Sequence, residues 1–132
     1  MNFIQNYSSL VGRLLISVVF LMAGISKISG YAGTQGYMEA MGVPGALLPV
    51  VIALEVLGAI AIIIGFKTRI AAFLLAGFSL VSAMLFHYNP EDQMQMILFM
   101  KNIAIAGGFL FLVANGAGLV SIDNGMPKQQ EA

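Results

Sequence analysis

LLPVVIALEVLGAIAIIIG, from Leu47 to Gly65, decides how this chain folds. A transmembrane helix takes about 20 mostly apolar residues at 1.5 Å each, and the run is long enough to cross a bilayer. Its one ionisable side chain, Glu55, falls near the middle. A charge at that depth carries a penalty of roughly 2.5 kcal/mol or more and is rare unless it turns inward to a partner. The rest of the sequence can be read for what faces Glu55.

Composition agrees with a membrane setting. The chain has 132 residues, 59% hydrophobic and 9% charged, against about 25% charged in a soluble domain. Its mean hydropathy is +0.91. Three further runs match the first, so the predicted fold is all-α, an integral membrane bundle of four transmembrane helices in one domain. The spans are expected over about 9–28, 44–66, 68–87 and 96–115. No basic residue precedes Arg13, so the first run is expected as a retained helix rather than a cleaved signal. Between the first two spans, Tyr37, Met38 and Met41 stand at helical spacing, which suits a short interfacial helix or an ordered loop with aromatic anchors. Pro44 suits the first turn of the second span, and Thr68 is expected to cap the third. The tail SIDNGMPKQQEA reads as polar and frayed beyond Asp123.

Six basic and six acidic side chains cancel, which leaves no basic surface for nucleic acid. The absence of cysteine excludes thiolate chemistry and cysteine-ligated clusters, and one histidine excludes a bis-histidine haem within the chain. No stand-alone catalytic machinery is recognisable. Lys67 and Arg69 bracket the turn between the second and third spans, with Arg13 and Lys128 on the same face. By the positive-inside rule both termini are expected in the cytoplasm of a bacterial inner membrane.

At 100° per residue, Arg13, Ser17, Phe20, Gly24 and Lys27 share a stripe about 80° wide. Glu55 lies with Gly58 and Gly65, His87 with Ala72, Ala76, Ser79 and Ala83, and Lys101 with Ala104, Gly108 and Asn115. Small residues let helices approach closely in membranes, so Lys27, Glu55, His87 and Lys101 are expected to converge inside the bundle, in its outer half. Glu55 to Lys101 is the first-choice pair and Lys27 the second.

Two readings of that cluster stand side by side. A buried pair can simply specify one packing. Alternatively, two lysines and a titratable histidine around one carboxylate leave donors over for an anionic or hydrogen-bond-accepting ligand, such as a quinone head group. His87 with Met94 and Met96 offers soft copper ligands on paper, but methionine is usually apolar filler and no metal is expected.

GISK at Gly24 to Lys27, YAGTQGYMEAMGVPG from Tyr31, LEVLG around Glu55, GFKTR from Gly65, FHYNP from Phe86, FMKNIAIAGGFLFL from Phe99 and GLVSID ending at Asp123 together resemble the DoxX family. The closest likeness is to its short bacterial inner-membrane members. The resemblance implies a four-helix membrane protein. Some relatives are linked to quinone-dependent oxidation of thiosulfate or sulfide, and others to membrane assemblies that handle oxidative stress. It supplies no established catalytic residues, although Lys27, Glu55, His87, Lys101 and Asn102 match recurring polar positions. Larger quinone-linked relatives work with a second subunit. The expected role is therefore a membrane subunit or ligand-binding module of a quinone-linked redox system, with lipid, a quinone, a redox partner protein or further copies of the chain as partners. A small-solute permeation module and a structural partner of another membrane protein are the alternatives.

Overall fold

The computed structural model describes residues 2–124. Five α-helices account for most of them: α1 Asn2–Ser29, α2 Tyr31–Ala40, α3 Leu48–Ile64, α4 Thr68–Ser82 and α5 Gln93–Asn115. A short 3₁₀ turn, Gly45–Leu47, leads into α3, and a π-helical turn, Ala83–His87, extends α4. Four stretches are long and apolar enough to cross a membrane, as expected: Phe3–Ser29, Gly45–Ile64, Thr68–His87 and Gln93–Asn115. α1 begins several residues before the expected start near Ser9, because Phe3, Ile4 and Tyr7 continue its apolar pattern.

The region between the first two spans is helical. α2 ends where Gly42 adopts a positive φ of 84° and Val43 N–H donates to the Met38 carbonyl at 2.8 Å, a left-handed stop that glycine makes without strain. Pro44 stands before the 3₁₀ turn rather than inside the second span, and Pro49 takes the early helical position of α3, where its missing N–H costs nothing.

α1 packs along α3, α3 on α4, and α4 on α5. Small residues set these approaches. A Cβ on Gly24 would lie 2.5 Å from Val56 Cγ2, and one on Gly58 would lie 3.2 Å from the Leu75 side chain. The core joins Phe20 of α1, Ala59 and Ile62 of α3, Ala72, Leu75 and Ala76 of α4, and Ala106 and Phe109 of α5. Phe20 meets Phe109 edge-on with ring centroids 5.4 Å apart, and Phe78 at 6.3 Å.

The described part of the tail runs from α1 to the α3–α4 turn. Ser9 Oγ donates to the Ala117 carbonyl at 3.1 Å. Farther along the tail, Ile122 N–H and Asp123 N–H donate to the carbonyls of Ile64 and Gly65 at 3.1 and 2.7 Å. The Asp123 carboxylate accepts from the backbone N–H groups of Lys67 and Thr68 at 2.5 and 2.7 Å. This corrects the expected cap of α4. Thr68 is already helical, and the N-terminal amides of α4 are satisfied from a residue 55 positions away, since a free helix start needs an acceptor from somewhere. Burial pushes the Asp123 carboxyl up, but hydrogen bonds from Thr68 and Lys67 and the Lys67 charge outweigh it and hold the group below its ordinary value. Lys128, expected at this end, and all but the first residue of the stretch expected to fray beyond Asp123 lie outside the described residues.

Arg13 completes the clamp. It is 1% exposed; Nη1 donates to the carbonyls of Ile62 and Ile63 at 2.9 and 3.2 Å, and Nη2 donates to the Val120 carbonyl. Ile62 and Ile63 belong to the last turn of α3, where a cation is favoured by the helix dipole, and Val120 belongs to the tail. Gly65, at φ 74°, closes α3 beneath it. A Cβ there would sit 2.7 Å from Arg13 Nη1 and 2.3 Å from Ser121 Cβ.

A buried ion pair in an apolar cavity: the candidate functional site

Glu55 meets Lys27, not Lys101. Lys27 Nζ lies 2.9 Å from Glu55 Oε1, and the Glu55 side chain is 4% exposed against 27% for Lys27. Gly24, one turn before Lys27, makes this contact: its missing Cβ lets α1 approach the backbone of α3 between Glu55 and Val56. The approach is an ion pair by distance, and Glu55 Oε1 accepts no aligned hydrogen bond among the described residues.

A cavity of about 160 Å³ lies at the end of the bundle opposite Lys67. Lys27 and Glu55 lie at one side of it, Val51, Phe78 and Phe86 form apolar walls, and His87 also lines it. α2 closes a flank with Thr34, Tyr37 and Met38. Met38 anchors that helix at 4% exposure. The Tyr37 ring stacks on Phe86 with centroids 5.5 Å apart, and its hydroxyl donates to the Phe86 carbonyl at 3.4 Å. Phe86 and His87 belong to the π-helical turn, a distortion that widens the helix locally and occurs often at functional sites.

His87 Nδ1 is 2.9 Å from Gln95 Oε1. With the amide in that orientation Nδ1 carries the proton, which leaves Nε2 as the ring atom free to exchange one. Met96, a member of the paper copper set, lines a different groove with Lys101. Among the described residues no group of three or more histidine, acid or cysteine side chains is placed to hold a metal.

Two of the five selected residues fall outside the cavity. Lys101 is exposed on the outer face of α5, beside Gln93, Ile97 and Met100. The expected convergence fails because the inward stripe of α5 is Asn102, Ala106, Phe109 and Val113, which stands about 100° round the helix from Lys101. Asn102 lies on that stripe, but its Nδ2 donates to the Ser79 carbonyl at 3.5 Å and so joins α5 to α4. The wall residues Tyr37, Met38, Phe78 and Phe86 were not selected from sequence. Their signal, aromatic and methionine side chains beside the polar ones, is shared with ordinary membrane-facing positions.

An antiparallel bundle of four membrane-spanning helices, with one buried acid and its half-buried lysine beside a largely apolar cavity, defines a multi-pass membrane protein with a small internal ligand-sized space. The family profile described as DoxX matches residues 8–88. The chain is 50% identical over 129 residues to the inner membrane protein YqjF of Escherichia coli (strain K12), covering 98% of this chain and 99% of that one. It is 37% identical over 121 residues to the inner membrane protein YphA of the same organism, covering 86% of each. A more distant relative, 27% identical over 114 residues and covering 81% of this chain and 84% of its own, is CatD of Bacillus subtilis (strain 168), named provisionally as an oxidoreductase. No solved structure matches the chain. The chain belongs to the DoxX family and is a multi-pass inner-membrane protein.

Proposed function

We propose that the chain is the membrane subunit of a quinone-linked redox system and that the Lys27–Glu55 cavity receives the quinone head group. The observation that carries this reading is the cavity itself: an ion pair and a histidine beside the hydroxyls of Thr34, Tyr37 and Ser82, on walls completed by Met38, Val51, Phe78 and Phe86. An apolar cavity of about 150 Å³ holds a benzene ring, so this one suits a single quinoid ring with its tail left in lipid. Lys27 would donate to a head-group oxygen, with Phe78 and Phe86 against the ring and His87 Nε2 placed as an acceptor toward a hydroxyl of the reduced, quinol form. The provisional naming of CatD as an oxidoreductase supports the same class of function.

A quinone supplies a two-electron, two-proton acceptor when bound. Lys27 fixes the polar end through its charge, the aromatic walls exclude water, and His87 Nε2 is the position at which a proton enters or leaves. A chain with no cysteine and one histidine has no relay of its own for electrons, so a partner protein must deliver them.

Decyl-ubiquinone added to purified protein is expected to raise the unfolding temperature. At a hundredfold excess over Kd the stabilisation is about 2.7 kcal/mol. Val51→Phe, which fills the cavity and leaves the ion pair, should lose that response, while Lys101→Ala should keep it. A flat response in the wild type would overturn the proposal.

The proposed orientation puts Lys67 and both termini in the cytoplasm. Among the described residues the Lys67 end carries three basic residues, Arg13, Lys67 and Arg69, whereas the other end carries two, Lys27 and Lys101, and its loops hold Glu39, Glu91 and Asp92. Because the chain has no cysteine, single cysteines report the side directly. Glu91→Cys in intact inner-membrane spheroplasts should react with an impermeant maleimide and Lys67→Cys should not; the reverse labelling would sink the assignment.

A further inference from the structure

α5 supplies no wall of the Lys27–Glu55 cavity among the described residues, yet it reaches the cavity's histidine. The π-helical turn that extends α4 ends on His87 and sets it beside the first turn of α5. That turn is itself held in place. Asp92 Oδ1 accepts from the Met94 and Gln95 N–H groups at 3.0 and 3.3 Å, and Tyr88 packs on Phe99 with ring centroids 5.4 Å apart. Gln95 thus stands with its Oε1 2.9 Å from His87 Nδ1.

An amide oxygen can only accept, so the His87 proton stays on Nδ1 and the neutral ring presents a lone pair at Nε2. The other polar groups of the cavity do not distinguish a quinone from its reduced form in this way. Lys27 can only donate, and a carbonyl and a hydroxyl each have an oxygen to receive it. The hydroxyls of Thr34, Tyr37 and Ser82 donate or accept as they rotate. Glu55 is an acceptor, but it faces Lys27 at 2.9 Å. Nε2 accepts from the O–H of a quinol, whereas a quinone carbonyl would set one lone pair against another and leave both groups unpaired, which is costly away from water.

We propose that Gln95 is a positioning residue of this site and that, by holding His87 in the Nδ1–H form, it makes the cavity prefer the quinol over the quinone. The preference rests on the quinone reading and adds which redox form is held more tightly. A tenfold preference corresponds to about 1.4 kcal/mol of binding. Tighter binding of the reduced form also makes the bound quinone the stronger electron acceptor, by about 30 mV for a tenfold preference in a two-electron couple. Electron delivery to the ring is then favoured over withdrawal from it.

A single histidine makes the test direct, because the imidazole nitrogen NMR signals of untagged protein come from His87 alone. At about pH 8.5, well above the ordinary histidine value of about 6.5, the wild type should carry its proton on Nδ1 and leave Nε2 bare. Gln95→Leu removes the acceptor and should mix the two tautomers, whereas Gln95→Glu keeps an acceptor there and should hold Nδ1 protonated. Gln93→Leu, two positions away and exposed beside Lys101, is the matched control. Affinities for decyl-ubiquinone and for decyl-ubiquinol kept reduced without oxygen are read from the dependence of the unfolding temperature on ligand concentration. The quinol is expected to bind about tenfold tighter in the wild type and in Gln93→Leu, and no tighter than the quinone in Gln95→Leu. A wild type with its proton on Nε2, equal affinity for the two forms, or an undiminished preference in Gln95→Leu would overturn the role of Gln95 and leave the quinone reading standing. A wild type that binds neither form would overturn that reading and the preference with it.

Discussion

Lys27→Met is expected to destabilise the folded chain by about 3–5 kcal/mol, because removing one partner of a buried pair leaves the other charge uncompensated. Glu55, 3% exposed and facing Lys27 at 2.9 Å, is the group left behind. Lys27→Met combined with Glu55→Leu should recover most of the loss, since an apolar pair of similar volume replaces a buried ion pair at little or no cost. Reversible unfolding in detergent or bicelles gives the three values, and a Lys27→Met variant within about 0.5 kcal/mol of wild type, the scatter of neutral surface substitutions, would contradict the burial. The double variant also separates the two roles weighed for the pair. If it folds and still responds to quinone analogues, the pair only sets the packing of α1 on α3. If it folds and the response is gone, the charges contribute to binding.

Arg13→Met is expected to cost a similar amount and to release the tail. Three carbonyls, those of Ile62, Ile63 and Val120, lose a charged donor together, and hydrogen bonds to charged groups are worth about 1.5–3 kcal/mol each before neighbours relax. Limited proteolysis should then cut in the segment from Gly116 to Asn124, which the wild type protects. The same segment carries a pH signature. Asp123 is held below its ordinary value in the folded protein, so its contribution is fully present above the unfolded value, about 3.9 for aspartate, and is lost as pH falls through the lower folded value. Tail protection in the wild type should therefore weaken only below about pH 4, and Asp123→Asn should remove that acid dependence. An unchanged cleavage pattern in Arg13→Met would mean that the carbonyls find other donors.

How much of this was legible depends on the element. The buried stripes of α1 and α4 could be read because polar and small residues mark one side of each: Arg13, Ser17, Phe20 and Gly24 are all buried, as are Ala72, Ala76, Ser79 and Ala83. α5 could not be read this way. Ala104, Ala106, Gly107 and Gly108 spread small residues over several faces, and the lone lysine drew the inward stripe to the wrong side. In a membrane the lipid side is as apolar as the core, so hydropathy does not tell one from the other. Depth along the helices was equally uninformative, since helical rise places a lysine at a level without orienting it. The contacts that select Lys27 are Gly24 against Val56 on one side and Phe109 against Phe20 on the other.

From sequence alone one can state the solvent, the four spans and the fact that Glu55 must have a company of its own. Those follow from transfer free energies and helix length, which act on each segment separately. Which lysine answers the acid, that Asp123 caps a helix 55 residues earlier, and that Arg13 holds the far end shut were decided only when the helices met. Each depends on the rotation and closeness of two segments distant in the chain, and packing between side chains sets both.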